Sequence, residues 1–173
     1  MQNMINAFNF FNMNMHNNTN NFNGPNHQKQ RKINIIDYFE MNKKMYISPD
    51  MYCSQKCFVN SKTEVTDNYF LFPNVLVLFL NYGKDIKFDC KVEFSEIIDL
   101  SNYSLAEKTP KVFKLLGLIT HLGVSGDSGH YIAYCRHFDG SFCCFNDKNV
   151  TTVKFNECKK NENLNYVLFY EKM

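Results

Sequence analysis

One histidine of this sequence follows a glycine-rich stretch and precedes a run of strand-forming residues. The stretch covers residues 123–129, and His130 comes directly after it. We predict that a loop over 123–129 delivers His130 to the first position of a strand, with glycines that let another chain pass closely. An imidazole titrates near neutral pH, so a histidine held at such a position can act as a general base.

A general-base histidine needs a partner that fixes its tautomer and orientation, and two residues qualify. Asp139-Gly140 predicts a hairpin turn, and the strand that returns from it ends at Asn146 and Asp147. His130 lies nine residues before Asp139 and Asn146 six after Gly140, so direct pairing requires a bulge or a skewed register. The set would form two thirds of a nucleophile–histidine–orienter triad, and a structural strand histidine is the alternative.

Other reactive side chains near His130 are expected to have structural roles. Cys135, Cys143 and Cys144 lie on the predicted hairpin, where a free thiol behaves as a small apolar side chain, and we predict that they pack in the core. His121 and His137 have no identifiable partner, and we expect both at surface or strand positions.

The segment Gly126–Gly129 resembles the nucleophile motif of trypsin-like serine proteases. That interpretation requires a glycine where His130 stands. It also requires a histidine and an aspartate upstream in the right order, whereas the only histidines before His121 are His16 and His27. We therefore reject it.

The elements that must position these residues are mainly strands. An amphipathic helix is predicted from Ile33 to about Tyr46, and little helix after residue 50. The predicted fold class is α+β with a predominantly antiparallel sheet. Its strands are expected at 74–80 (entered just after Pro73), 87–94, 112–121, 131–138, 141–145 and 166–170.

Composition divides the 173 residues into two parts. Eleven of the first thirty residues are Asn, with almost no charge and no period that could bury a face, so residues 1–31 are predicted to be a disordered low-complexity segment. Residues 32–173 are predicted to fold. The net charge of +2 argues against a nucleic-acid surface, and no apolar run is long enough to span a membrane.

The seven cysteines indicate a reducing environment. No signal peptide is recognisable, so free thiols, metal ligands or catalytic roles are expected rather than a disulfide framework. We therefore expect an intracellular protein of the cytoplasm or nucleus.

Four stretches in collinear order resemble the ubiquitin-specific proteases, which are papain-like deubiquitinating enzymes. Gly-His-Tyr-Ile-Ala-Tyr-Cys-Arg followed by Phe-Asn-Asp-Lys-Asn-Val resembles the histidine box of that family. Residues 52–57 are similar to the second cysteine pair of its zinc-binding fingers, 73–80 to the strand after the fingers, and 165–170 to its closing strand. The resemblance covers residues 33–172 and implies the palm and part of the fingers of the catalytic domain, its C-terminal half.

The resemblance implies roles for individual residues. His130 would be the catalytic histidine, Asn146 its orienter, and Asp147 a support for the histidine or a neighbour of the oxyanion. Ubiquitin would be the partner, and the activity would be thiol-dependent hydrolysis after its C-terminal glycine. Because that tail ends in glycines, a narrow tunnel lined by glycines at 123, 126 and 129 and by Tyr131 would bind it.

The sequence departs from the family at three places. Nothing resembles the box that carries the nucleophilic cysteine, and no cysteine precedes Cys53. Only one cysteine pair, Cys53 and Cys57, is present, so the four thiolates of a structural zinc site are incomplete and no cofactor is expected. Leu80-Asn81-Tyr82-Gly83 replaces the basic-aromatic end of the post-finger strand. We expect this chain alone to be inactive; the alternatives are a catalytically dead ubiquitin-binding module and a truncated gene whose other half lies upstream.

Overall fold

Strands dominate the described part of the chain. The computed structural model describes residues 10–14, 31–43, 46–52, 58–65, 69–81, 90–105, 110–125, 128–160 and 164–173. Its strands are β1 (Phe10–Asn14), β2 (Arg31–Asn34), β3 (Tyr46–Tyr52), β4 (Asn60–Val65), β5 (Val75–Asn81), β6 (Cys90–Glu93), β7 (Ile97–Asp99), β8 (Val112–Ser125), β9 (Ser128–Arg136), β10 (Phe142–Asn146), β11 (Asn149–Val153) and β12 (Leu164–Lys172). The helices are α1 (Ile35–Asn42), α2 (Phe155–Cys158) and a 3₁₀ turn at Ser101–Tyr103.

An eight-stranded sheet organises the fold. Its order is β1-β5-β12-β8-β9-β10-β11, with β7 also pairing with β8. All of these pairings are antiparallel except that of β1 with β5. Two smaller sheets join β2 with β6 in parallel and β3 with β4 as an antiparallel pair. The α+β class with a predominantly antiparallel sheet is therefore confirmed.

One face of the main sheet carries the core, because alternate side chains of a strand point to the same side. Leu76, Leu78 and Leu80 of β5 are buried on this face, as are Ile132 and Tyr134 of β9. Helix α1 closes this core, with Phe39 fully buried against the rings of Tyr69, Phe72 and Tyr103. No helix in the described ranges is long and apolar enough to cross a membrane.

The strands expected after residue 70 are confirmed, and their ends differ. The run from 74 to 80 is β5, and the expected strands at 131–138, 141–145 and 166–170 are β9, β10 and β12. The strand expected at 112–121 continues to Ser125 as β8. The strand expected at 87–94 is β6, which pairs in parallel with β2.

The segment predicted to be disordered contains strand β1 and the first residue of β2, Arg31, which corrects that prediction for six described residues. Residues Phe10–Asn14 form β1, paired with β5 in register from Phe10 opposite Val77 to Asn14 opposite Asn81. The backbone of β5 would otherwise have an open edge, and pairing with that edge requires no amphipathic period in the added strand. For the other residues of the segment 1–31, disorder stays a prediction.

The predicted helix is shorter than its apolar pattern suggested. Ile33 lies in β2, and helix α1 begins at Ile35 and ends at Asn42. Asn34 explains the start, because its Oδ1 accepts a hydrogen bond from the backbone N–H of Ile36 at 2.9 Å.

A side chain at the end of β9 joins three segments. Arg136 donates from Nε to the carbonyl oxygen of Leu115 at 2.7 Å and from a terminal nitrogen to that of Gly140 at 3.2 Å. Its other terminal nitrogen forms an ion pair with Glu96 at 2.5 Å, and its side chain is only 10% exposed. The guanidinium also lies over the ring of Phe142. Arg136 thereby holds the start of the β9–β10 hairpin against β8.

We expect Arg136→Lys to lower the free energy of unfolding by about 2–3 kcal/mol, because an ammonium cannot reproduce the fork of three partners and leaves a half-buried carboxylate unpaired. The measurement is urea unfolding followed by circular dichroism. Lys32→Ala, which removes an exposed ion pair with Glu93, is the control and should change stability by about 0.5 kcal/mol or less. Equal effects of the two variants would contradict the role assigned to Arg136.

Candidate active site

His130 lies inside a long antiparallel ladder rather than at its edge. Strand β8 continues to Ser125 and β9 begins at Ser128, so His130 is the third residue of β9 and pairs with Leu122. The prediction of a loop over 123–129 that delivers His130 to a first strand position is therefore wrong. The two strands continue their pairing through the glycines, with a register irregularity between Leu122 and Ser125.

Asn146 reaches His130 across the β9–β10 hairpin. The described pairing runs from Phe142 opposite Arg136 to Phe145 opposite Ala133 without a shift. Continuing it by one residue puts Asn146 opposite Ile132, so His130 is its diagonal neighbour on the same face. The Nε2 atom of His130 and Oδ1 of Asn146 are 2.7 Å apart. The predicted bulge is not needed, because diagonal neighbours lie within reach of long side chains.

This hydrogen bond selects one form of the neutral imidazole. Oδ1 of an amide only accepts, so Nε2 of His130 carries the hydrogen and donates it to Asn146. The second ring nitrogen, Nδ1, then keeps its lone pair. An imidazole fixed in this tautomer can accept a proton at Nδ1 without losing the bond that orients it.

Asp147 is a more distant neighbour of the same ring nitrogen. Its Oδ2 lies 3.8 Å from Nε2 of His130, beyond hydrogen-bond range, and its side chain is 77% exposed. Asp147 also turns the chain between β10 and β11, with a positive φ of 52°. Asn146 thus provides the directional hydrogen bond to the imidazole, whereas Asp147 provides a carboxylate whose charge is screened by solvent.

The predicted substrate-binding residues have different positions. Gly123 and Gly129 are exposed and lie next to the His130–Leu122 pair, on the face away from Asn146. Tyr131 is 53% exposed and belongs to that same opposite face. Gly126 lies outside the described residues. The predicted role of these residues in binding a peptide tail stays a prediction.

The cysteines of the hairpin do not share one environment, which corrects the prediction that all three pack in the core. Cys144 is partly buried and contacts the core cluster as predicted. Cys135 is exposed, because odd-numbered positions of β9 point away from the core. It lies directly opposite Cys143 of β10. Both of these thiols lie on the face opposite to His130. Cys144 shares its face but pairs with Tyr134, four residues and therefore about 13 Å along the strand from His130.

Cys158 of α2 is the described thiol with the strongest change in acidity. It is fully buried, and this burial raises its pKa to about 12. Burial, with a smaller contribution from Cys143, also raises the pKa of Cys135. A thiol with a raised pKa stays protonated near neutral pH and is a poor nucleophile.

The cysteine pair that was predicted to be half of a zinc site, Cys53 and Cys57, lies outside the described residues, between β3 and β4. Among the residues that the structure describes, no three His, Cys, Asp or Glu side chains are grouped so that they could hold a metal ion.

His121 lies in strand β8, one of the two kinds of position expected for it, but it is buried rather than at the surface. Its side chain is 1% exposed, and its ring contacts those of Tyr131 and Tyr166. The two glycines at 123 and 129 are the only trace of this in the sequence, and they become informative only in the observed register, which places both beside His121. Glycines at both positions leave room for a neighbouring ring.

The family model of the ubiquitin carboxyl-terminal hydrolases matches residues 2–170 of this chain. A similar curated relative is ubiquitin carboxyl-terminal hydrolase 25 of Arabidopsis thaliana, which is 38% identical over 105 residues, 58% of this chain and 16% of the relative. Ubiquitin carboxyl-terminal hydrolase 10 of Saccharomyces cerevisiae is 27% identical over 123 residues, 68% of this chain and 16% of the relative. The chain thus spans about a sixth of the length of these two relatives.

A solved structure with a similar fold is the SAGA Ubp8/Sgf11/Sus1/Sgf73 DUB module bound to ubiquitin aldehyde. It superimposes with a TM-score of 0.68 at 23% identity, over 82% of this chain and 35% of the matched chain. At this identity the likeness concerns the fold alone.

In the natural chain Nε2 of His130 donates to Oδ1 of Asn146 over 2.7 Å, and this bond fixes one tautomer of the imidazole. We expect Asn146→Ala to remove the acceptor, so that both tautomers form. Long-range ¹H–¹⁵N spectra of the histidine rings should show the His130 nitrogen shifts moving towards the averaged values of a free imidazole. Asp147→Ala, at 3.8 Å, is the matched control and should leave the Nε2–H pattern in place. The opposite ranking of the two variants would show that the charge rather than the amide orients the ring.

We expect stability to fall as pH rises from about 9 to 12, in part through Cys158. The folded chain keeps this thiol protonated up to a pKa of about 12, whereas the unfolded chain releases the proton earlier, so unfolding is favoured within this window. Cys158→Ala should reduce the alkaline loss by about 1–3 kcal/mol, measured by urea unfolding at a series of pH values. Cys135→Ala, at an exposed thiol, should reduce it less, and an unchanged slope in Cys158→Ala would refute the assignment.

Proposed function

Since this chain belongs to the ubiquitin carboxyl-terminal hydrolase family, we propose that it supplies the histidine half of a thiol-dependent deubiquitinase centre. The observation that carries the proposal is the 2.7 Å hydrogen bond between His130 Nε2 and Asn146 Oδ1. The family match over residues 2–170 and the papain-like fold support it. The substrate class that follows is ubiquitin joined through its C-terminal glycine to a lysine or a peptide.

The proposed role of the chain is proton transfer. A cysteine thiol would lose its proton to Nδ1 of His130, and the thiolate would attack the carbonyl carbon of the last glycine of ubiquitin. Nδ1 would then give the proton to the leaving amine, and water would cleave the thioester. Asn146 would hold the ring through both transfers, and Asp147 is a second neighbour of the same ring nitrogen at 3.8 Å.

The nucleophile of this proposal is none of the four free thiols Cys135, Cys143, Cys144 and Cys158. Cys135 and Cys143 lie on the opposite face of the sheet, Cys144 is about 13 Å along the strand, and Cys158 has a pKa of about 12. We therefore propose that the chain by itself does not turn over ubiquitin conjugates. This distribution of thiols also favours a second candidate function, a ubiquitin-binding module without catalysis.

We propose the cytoplasm or nucleus as its location. The described cysteines Cys135, Cys143, Cys144 and Cys158 are free thiols, and Cys135 is exposed. Exposed free thiols persist in compartments that keep cysteines reduced.

The test combines binding and turnover. ¹⁵N-labelled ubiquitin titrated with the 173-residue chain should show shifts concentrated on its C-terminal tail, and ubiquitin lacking its last two residues should bind more weakly. No cleavage of a fluorogenic amide of ubiquitin is expected from the chain alone, and no labelling by a ubiquitin vinyl sulfone.

The outcomes separate the two candidate functions. Once a segment that carries a nucleophilic cysteine is supplied, in the same chain or as a second one, and ubiquitin turnover is obtained, His130→Ala should abolish that turnover, which supports the catalytic proposal. Retained turnover in that variant would overturn it. Turnover by the chain alone that depends on His130 would overturn the proposal of inactivity. Absence of tail-dependent binding would overturn both functions for this chain.

A further inference from the structure

His121 is enclosed on the face of the sheet opposite to Asn146. Its ring centroid lies 4.8 Å from that of Tyr131 and 5.8 Å from that of Tyr166, and these two tyrosine rings contact each other at 5.7 Å. The residue is 1% exposed, and its Nδ1 is buried without a hydrogen-bond partner among the described residues. The ring is therefore held by packing, in a position that leaves a polar atom unsatisfied.

The edge of the His121 ring that carries Cε1 and Nε2 lies against the backbone of two glycines. Gly123 and Gly129 flank the Leu122–His130 pair of the β8–β9 ladder, and a Cβ on Gly123 would lie 3.0 Å from Cα of Gly129. A Cβ at Gly129 would overlap Nε2 of His121 and approach its Cε1 to 2.5 Å. A Cβ at Gly123 would lie 2.8 Å from the same Cε1. The imidazole therefore fills the space in front of both glycines. Backbone oxygens approach the same positions: a Cβ at Gly123 would also lie 2.7 Å from the carbonyl oxygen of Ser128, and one at Gly129, whose φ is 157°, would lie 2.6 Å from that of Leu122.

The two glycines lie next to the candidate base, His130, one on its own strand and one on the neighbouring strand. Gly129 immediately precedes His130, and Gly123 follows Leu122, the residue that pairs with His130. Any movement of the two glycines displaces the backbone of His130, whose bond to Asn146 spans only 2.7 Å and allows little displacement.

We propose that His121 is a positioning residue: its imidazole, seated on the gap between Gly123 and Gly129 and covered by Tyr131 and Tyr166, fixes the backbone that presents His130 to Asn146. An internal ring, together with the backbone oxygens beside it, then requires glycine at 123 and 129, whatever these residues contribute to a passing substrate. The inference depends on the proposed function only for the role of His130 as a base.

A double-mutant cycle of His121 and Gly129 tests whether the imidazole and the glycine depend on each other. Gly129→Ala should lower the melting temperature by about 5 °C, as expected for overpacking by one methyl group in a domain of this size. His121→Ala should destabilise the natural chain but restore about half of that loss in the Gly129→Ala background. The restoration is partial because the carbonyl oxygen of Leu122 would still lie 2.6 Å from the new Cβ.

Gly117→Ala is the matched control. A Cβ at Gly117, also in β8, would meet the carbonyl oxygen of Tyr134 at 2.6 Å and no atom of His121 among its three nearest neighbours. His121→Ala should therefore not relieve this variant, and the two effects should add. Additive effects with Gly129→Ala as well, or a Gly129→Ala chain as stable as the natural one, would overturn the proposal. If His121→Ala does not fold, the same cycle is run with His121→Asn, whose shorter side chain also vacates the contact with Gly129.

The second readout is the ring of His130 itself. In His121→Ala the His130 nitrogen shifts should move towards those of Asn146→Ala, whereas His137, in the turn that follows β9, should keep its signals. Unchanged His130 shifts in a folded His121 variant would show that His121 is only a packing residue. Neither readout contains ubiquitin, so a failure of ubiquitin binding leaves this inference standing, and normal binding does not rescue it.

Discussion

The hydrogen bond from His130 to Asn146 exists only in one register of the β8–β9–β10 ladder. Both residues must lie on the same face, and a slip of one residue between β9 and β10 would move Asn146 to the other side of the sheet. The turn at 137–140 sets this register through a bond from the N–H of Gly140 to the carbonyl of His137 at 3.0 Å. Asp139 reinforces it by accepting bonds from the backbone and hydroxyl of Ser141, which lower its pKa.

The same ladder serves two chemical environments, one on each face. On the core face His130 has one ring nitrogen occupied by Asn146 and the other available for proton exchange. On the opposite face His121 is buried between two glycines and two tyrosines, where it has no room to move. A reactive imidazole must keep its orientation while its charge changes, and an immobile neighbour on the adjacent backbone serves that requirement.

The thiols follow the alternation of the strands rather than the needs of a nucleophile. Cys135 and Cys143 pair with each other on the face away from His130, and Cys144 turns inward to the core. None of these three thiols therefore lies beside the imidazole of His130.

Local sequence determined a large part of this molecule. The apolar run that forms β5, the Asp139-Gly140 turn and the His130–Asn146 pairing could all be read from residue types and spacing, because alternation, turn preference and hydrogen-bonding capacity act over a few residues. The family could be recognised for the same reason, since its motifs are short and contiguous.

Only the tertiary structure decided which face each side chain occupies and how closely the backbones approach. The continuation of β8 and β9 through the glycines, the diagonal reach of Asn146, the exposure of Cys135 and the burial of His121 all depend on register between strands. The pairing of β1 with β5 joins residues more than sixty positions apart, and no local period in the Asn-rich segment announces it. Contacts of this kind are set by which edges and cavities the rest of the chain leaves open, and one segment read alone does not contain that information.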